Sequence, residues 1–328
     1  MLRIYSSSGG TLKSVDWNDG VPIGPDVLWI DLLEPTGEEE KRVEAALGID
    51  IPVREKLAEI EVSSRLYVQN DARFMTATLI TRADNDKPES DPVTFILTGN
   101  RLVTVRYCEP RAFDIFCKRA AFSGTTCPKS GEQVLIGLLE AVVDRAADHL
   151  ERVGTIVTAT SQEVFDEAHI REPARDYKGL LARIGAEGDF TSNVRESLVS
   201  LGRLVAFLNA LAEPVKGKSE QRSRSAHIKT LQRDLQSLTD HASFLSDKIS
   251  FLLEATLGLV TLEQNNIIKV FSVAAGIFLP PTLIASIYGM NFQIMPELGW
   301  TLGYPFAIVL MVASAVVPCI YFRRKGWL

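Results

Sequence analysis

The residues best placed to do chemistry are amides and hydroxyls in the last quarter of the chain, where formal charge nearly disappears. Tyr288-Gly289-Met290-Asn291-Phe292 is a short polar interruption between two apolar runs. Upstream of it Asn265, Ile268, Ser272, Ala275, Leu279, Thr282 and Ser286 recur at three or four residues, which places them on one face of a helix. Polar and apolar positions alternate on that face, and none is charged. A hard divalent ion such as magnesium dehydrates reluctantly and keeps several waters. Neutral oxygens can accept hydrogen bonds from those waters without stripping them. Asn291 would do so at an outer mouth and Asn265 at an inner end, while apolar rings such as Leu279 can close a pore by dewetting. Glu297, the sole acid between Val270 and Phe322, would draw cations toward the mouth. The same small and hydroxylated residues also suit close packing of helices, and spacing alone leaves both readings open.

Such a face needs elements that bring it into a membrane. Val270 to Ser286 and Gly303 to Phe322 are apolar runs of the length that covers a hydrocarbon core of about 30 Å. Arg323-Arg324-Lys325 follows the second run, and no Lys or Arg lies between Val270 and Phe322. This asymmetry puts both termini in the cytoplasm and the segment Tyr288 to Leu302 outside. Pro280-Pro281 removes two backbone donors inside the first span, which is tolerable where a neighbour or a wet lumen satisfies the freed carbonyls. Between Lys218 and Leu279 there is no proline, and the only glycines are Gly258 and Gly276. As one helix this stretch would run roughly 93 Å at ~1.5 Å per residue. Leu231, Leu235, Leu238, Ala242, Leu245, Ile249, Leu252, Thr256 and Leu259 form a narrow seam along it, suited to packing on further copies or on helices of the same chain.

Upstream, Val27 to Leu32, Arg73 to Thr81, Val93 to Thr98 and Leu102 to Arg106 read as strands, with a hairpin at Thr98-Gly99-Asn100-Arg101. Pro35-Thr36-Gly37 and three glutamates read as a helix start. Two helices follow, Glu132 to about His169 and Ser192 to Ala212, with a break at Pro173 and a loose segment from Gly185 to Asp189; they should form an antiparallel hairpin. The chain carries 35 basic and 41 acidic residues. Setting aside Arg323, Arg324, Lys325 and Glu297 leaves 32 against 40, or −8, for residues 1–269, which argues against nucleic acid and for attraction of cations. The loop carrying Asp84, Asp86, Glu89 and Asp91 could collect a divalent ion, although a solvated hairpin loop is the simpler reading. Cys108, Cys117, Cys127 and Cys319 form no CxxC pair, the four histidines lack ligand spacing, and no cleavable signal opens the chain. With no dinucleotide fingerprint, P-loop, nucleophile elbow or HExxH, an enzyme is not expected.

Several of these segments resemble the CorA magnesium transporter family. They are Tyr288-Gly289-Met290-Asn291-Phe292 with Met295-Pro296-Glu297-Leu298, Trp300 and Gly303-Tyr304-Pro305, and the ending Arg324-Lys325-Gly326-Trp327-Leu328. Glu263 to Lys269 and Phe278-Leu279-Pro280-Pro281-Thr282-Leu283 match as well. The resemblance implies an α+β fold: a cytoplasmic α/β domain with a helical hairpin, and a long stalk helix that continues into the first of two transmembrane helices, assembled as a homopentameric funnel. The expected divisions are an α/β domain at 1–125, a hairpin at 126–217, a stalk at 218–269, a pore helix at 270–288, an outer loop at 289–302, a second span at 303–322 and a basic tail at 323–328. It further implies a selectivity site at Gly289, Met290 and Asn291, constrictions at Asn265, Leu279 and Thr282, and a further apolar ring at Phe271. Magnesium would be both cargo and regulator, with closure by the cytoplasmic ion; the partners would be other copies of the chain, a bacterial inner membrane and divalent cations, Co²⁺ and Ni²⁺ included. The regulatory acids have no motif, so Asp84, Asp86, Glu89 and Asp91, or Asp234 and Asp240 on the stalk, are candidates only. Gln293 stands where the family commonly has an acid, which weakens attraction at the mouth. Two rival readings are a proton-driven zinc transporter of the same superfamily (ZntB-like), which tends to carry valine where Met290 stands, and a non-conducting membrane-anchored coiled-coil sensor.

Overall fold

The computed structural model describes residues 1–8, 11–15, 23–57, 59, 61–82, 88–121, 127–166, 176–211, 218–291 and 296–327. The chain divides into two compact units, Met1–Leu253 and Glu254–Leu328. Strands β1 (Leu2–Ser8), β2 (Thr11–Val15), β3 (Val27–Leu33), β4 (Leu66–Gln69), β5 (Ala72–Thr81), β6 (Glu89–Thr98) and β7 (Arg101–Arg106) form one sheet in the order β2-β1-β3-β7-β6-β5-β4. Every pair is antiparallel except β3 with β7. β3, buried along its whole length, is covered on both faces, as its unbroken apolar run requires. The β1/β2 hairpin has no counterpart among the strands expected from sequence, because its serines and glycines read as loop.

The sheet centre holds a charge pair. Arg106 Nη2 and Nε donate to Asp31 Oδ2 and Oδ1 at 2.7 and 2.9 Å, on adjacent parallel strands. Thr104 Oγ1 donates to Asp31 Oδ1 at 2.7 Å and accepts from Trp29 Nε1 at 2.9 Å. Both ions are almost fully buried, so each depends on the other for its solvation. Nearby, burial first and then the Asp91 charge push the Cys108 thiol up to about 12, and a protonated thiol is inert at neutral pH.

Among the described residues, seven helices reach or enter the first unit. α1 (Gly37–Leu47) starts on a reciprocal cap in which Glu39 N donates to Thr36 Oγ1 and Thr36 N to Glu39 Oε2. α2 (Arg54–Leu57), α3 (Val62–Arg65) and α4 (Arg111–Ala121) are short. α5 (Gly131–Phe165) and α6 (Tyr177–Ala210) run antiparallel, since Glu163 pairs with Arg183 and His149 meets the Phe190 ring edge-on at 5.5 Å. The loose segment expected at Gly185 to Asp189 is helical instead. Buried Ile184 and Phe190 flank it and Gly188 faces Ile249, and that packing offsets the roughly 1 kcal/mol each glycine costs in a helix. The break at Pro173 lies outside the described residues.

α7 (Lys218–Tyr288) is one helix of 71 residues and contributes to both units. Within the first unit its seam, including Leu231, Leu235, Ala242, Leu245, Ile249 and Leu252, is buried. Arg224 pairs with Glu132, His227 Nδ1 lies 2.9 Å from Glu140, and Lys248 Nζ donates to Thr158 at 3.3 Å, so α5 supplies a partner for the seam from the same chain. Phe244 and Phe251 remain exposed on the outer side.

In the second unit the end of α7 packs on α8 (Gly303–Arg324), with a 3-10 turn at Pro296–Gly299 before it. Gly276 is the close approach: a Cβ there would lie 2.8 Å from Phe322 Cε2. α8 ends in a Schellman arrangement. Gly326 has φ +69°, Trp327 N donates to Phe322 O at 3.0 Å, Gly326 N donates to Arg323 O at 3.1 Å, and the Phe322 and Trp327 rings stack at 5.7 Å. Lys325 lies 5.4 Å from the Tyr321 ring centre, a basic residue against an aromatic one at the end of an apolar helix.

Two outcomes follow from this packing. Arg106→Ala strands a buried carboxylate and lowers the unfolding free energy of the first unit by about 3–5 kcal/mol, whereas the Asp31→Leu, Arg106→Met double variant loses far less; denaturant titration followed by circular dichroism distinguishes them. Gly276→Val lowers the stability of the helix pair by about 1–3 kcal/mol, and Phe322→Ala in the same chain restores part of it, as read by SDS titration in mixed micelles.

Candidate ion pathway

Two helices, α7 and α8, are long and apolar enough to cross a membrane. In the second unit, Val273 is buried and Gly276, Ile277, Pro280 and Ile284 are half-buried, which marks the side of α7 that meets α8. Asn265, Ile268, Ser272, Ala275, Leu279, Thr282 and Ser286 are all exposed. At about 100° per residue these two sets centre roughly 130° apart around the helix. Phe271, also exposed, borders the second set. The face singled out by spacing therefore lies within the broad part of α7 that α8 leaves uncovered, together with Phe278 and Leu283.

That face carries oxygen without charge. Thr282 Oγ1 donates to Phe278 O at 2.7 Å, so its hydrogen is used within the helix and its oxygen is left to accept. Pro280 and Pro281 lie inside the helix without ending it. Their missing donors free the carbonyls of Gly276 and Ile277, one turn back on the half-buried side of the helix. Polar acceptors and large apolar groups such as Leu279 then succeed one another along the same line.

Gly289, Met290 and Asn291 lie where α7 runs out. The helix ends at Tyr288; Gly289 N donates to Ala285 O at 2.9 Å and Met290 N to Ile287 O at 3.3 Å. A Cβ on Gly289 would lie 3.1 Å from the Ala285 carbonyl oxygen, so glycine suits this last turn. Asn291 comes immediately after it and is exposed, with Met290 half uncovered beside it. Both stand at the negative end of the helix dipole, which favours a cation there. Gln293 lies outside the described residues, while Glu297 falls in the 3-10 turn.

The other candidates are dispersed. Asp84 and Asp86 lie outside the described residues. Glu89 pairs with Arg82 at 2.9 Å, and Asp91 Oδ2 accepts from Thr81 Oγ1 at 2.6 Å. Asp234 and Asp240 are exposed on α7, and Asp240 Oδ1 accepts from Gln236 at 2.9 Å. Among the described residues no three of His, Cys, Asp and Glu gather to hold a metal ion. Sequence reasoning overlooked the Gly276–Phe322 contact, whose only trace is a glycine inside an apolar run.

Known proteins share this layout. The family model described as CorA-like Mg²⁺ transporter protein matches residues 25–324. The magnesium transport protein CorA of Escherichia coli (strain K12) is 33% identical over 328 residues, covering 100% of both chains. The complete structure of the CorA magnesium transporter from Methanocaldococcus jannaschii superposes with a TM-score of 0.74 at 18% identity, over 100% of this chain and 99% of that one. The ZntB cytoplasmic domain from Vibrio parahaemolyticus gives a TM-score of 0.50 at 13% identity, over 80% of this chain and 96% of that one, a likeness of fold alone. With a family model spanning nearly the whole chain and a full-length relative identical at a third of its positions, this chain belongs to the CorA-like Mg²⁺ transporter proteins.

Proposed function

We propose that this chain transports magnesium across a bacterial inner membrane as a pore that recognises the hydrated ion. The observation that carries the reading is the uncharged, uncovered face of α7, which ends at Gly289-Met290-Asn291 beside the negative end of the helix. Family membership supports magnesium as the cargo. In this reading Asn291 amides accept hydrogen bonds from the ion's waters at the outer mouth, with Gly289 and Met290 shaping the ring. Asn265, Ser272, Thr282 and Ser286 provide further acceptors, and Ile268, Phe271, Ala275 and Leu279 the apolar rings that close by dewetting. Glu297 raises the local cation concentration outside.

A face of this kind becomes a lumen only when copies surround it, and a homopentamer is the assembly we assign, with both termini cytoplasmic. The functional divisions are then the α/β domain at 1–125, hairpin at 126–217, stalk at 218–269, pore helix at 270–288, outer loop at 289–302, second span at 303–322 and tail at 323–328. Closure by cytoplasmic magnesium would draw on acids of more than one copy, Asp234 and Asp240 among them, since the described residues of one chain gather no set of three. Cobalt and nickel ions, hydrated to a similar size, should also pass.

Asn291→Ala is expected to reduce magnesium flux into liposomes by at least about tenfold, through loss of the ring's acceptors. The mass by light scattering should stay at five chains. Undiminished flux would refute the amide-ring account, and a monomeric mass of the parent protein would refute the assembly. Flux of Mg²⁺ compared with Zn²⁺, with and without magnesium on the cytoplasmic side, tests the cargo. Magnesium should dominate and be slowed by cytoplasmic magnesium, whereas comparable zinc flux driven by a proton gradient would favour the ZntB-like reading.

A further inference from the structure

The first unit has a second place where chemistry converges, at the carboxyl ends of its strands. β3 is parallel to β7, and β5 is related to β7 through two antiparallel pairings, so β3, β5 and β7 all point to one sheet edge. In sheets with parallel strands, ligands characteristically bind beyond that edge. Here it opens into a cavity of about 210 Å³, floored by the end of β5 and walled by the start of α4, by α5 and by α6.

Its lining reverses the charge of the surrounding domain. Arg82, Arg111, Arg145 and His149 line it against a single acid, Glu109, although residues 1–269 as a whole are strongly acidic. The three arginines come from three elements: the residue after β5, the first residue of α4, and the middle of α5. Arg82 takes a left-handed φ of +52°, an unfavourable conformation for a long side chain, at the point where the chain leaves the sheet for the cavity rim. Arg82 donates through Nη1 to Glu89 at 2.9 Å and Arg145 through Nη1 to Asp148 at 3.3 Å, so each of these two guanidinium groups is anchored by a carboxylate beside the cavity. α4 is 11 residues long, and its first turn, Arg111 and Ala112, forms part of the same wall, so its positive end adds to the guanidinium charge. Leu79, Val142 and Ala146 complete the lining and limit competition by water.

We propose that this cavity binds a compact phosphate-bearing anion, held by Arg82, Arg111 and Arg145 at the start of α4. Planar guanidinium forks match phosphate oxygens two at a time, and three of them suit the several oxygens of a pyrophosphate group better than a lone carboxylate. The volume is below the ~300–1,000 Å³ usual for whole drug-sized ligands, so the phosphate end is enclosed and any larger remainder lies outside. This site is independent of the ion pathway, and its existence does not rest on the cargo assigned above.

The test is calorimetric titration of inorganic pyrophosphate into the full chain in detergent, in buffer free of divalent cations. Saturable binding of one pyrophosphate per chain is expected, weakened roughly tenfold or more by Arg111→Ala and by Arg145→Ala. Arg145→Lys, which keeps the charge and loses the fork, should fall between and guards against a folding defect in the alanine variants. Arg119→Ala, on α4 but away from the cavity, should bind as the parent does. No saturable binding, or equal loss in Arg119→Ala and Arg145→Ala, would overturn the proposal.

Discussion

A cation that must pass through hydrocarbon needs oxygen ligands or hydrated company, yet a fixed charge placed there for it is costly to bury. Residues from Val270 to Phe322 meet that constraint by carrying one formal charge, outside the helices. The second unit offers neutral oxygens in line along one face of α7. Backbone groups in the membrane must be satisfied internally, which leaves a helix as the only form for α7. The helix persists through Pro280 and Pro281, and the Gly276–Phe322 contact holds α8 against a side that carries no polar side chain. The polar face is not among the residues that α8 covers.

The first unit solves an opposite problem. It buries a full ion pair, Asp31 with Arg106, at the one parallel junction of its sheet. Two antiparallel groups of strands, β2-β1-β3 and β7-β6-β5-β4, meet there. A fork of two hydrogen bonds extended through Thr104 and Trp29 is directional, where apolar packing is not, and it fixes β3 against β7 in register. Because β7 leads directly into α4, that register also sets where Arg111 stands at the sheet edge.

How much of this was legible in the sequence follows from how local each signal is. The central strands, the Thr36 cap and the long helix could be read because alternation, capping chemistry and freedom from proline are encoded within a few residues. The α7 face was legible for the same reason, since Asn265 to Ser286 is a periodic pattern on a single element. Gly185 and Gly188 misled because propensity marks a weak helix while the compensating partners, such as Ile249, sit on another element. The β1/β2 hairpin escaped because a serine-rich edge segment gains its identity from pairing with β3. The arginines at the sheet edge were invisible as a group, being separated in sequence by tens of residues and united only by topology.

Exposure of a face does not by itself say what covers it, and here the residues differ in what they tolerate. A hydroxyl that bonds back to its own helix, as Thr282 does to Phe278, can sit against lipid at little cost. Phe278 and Leu283, exposed on other sides of α7, are at ease there too. A primary amide is different, because it presents two donors and a carbonyl that one helix cannot satisfy. Asn265 and Asn291 stand at the two ends of the apolar segment, where water or another copy's amide can reach them. The amides at the ends, more than the hydroxyls between them, are what argue for a water-filled line with copies around it.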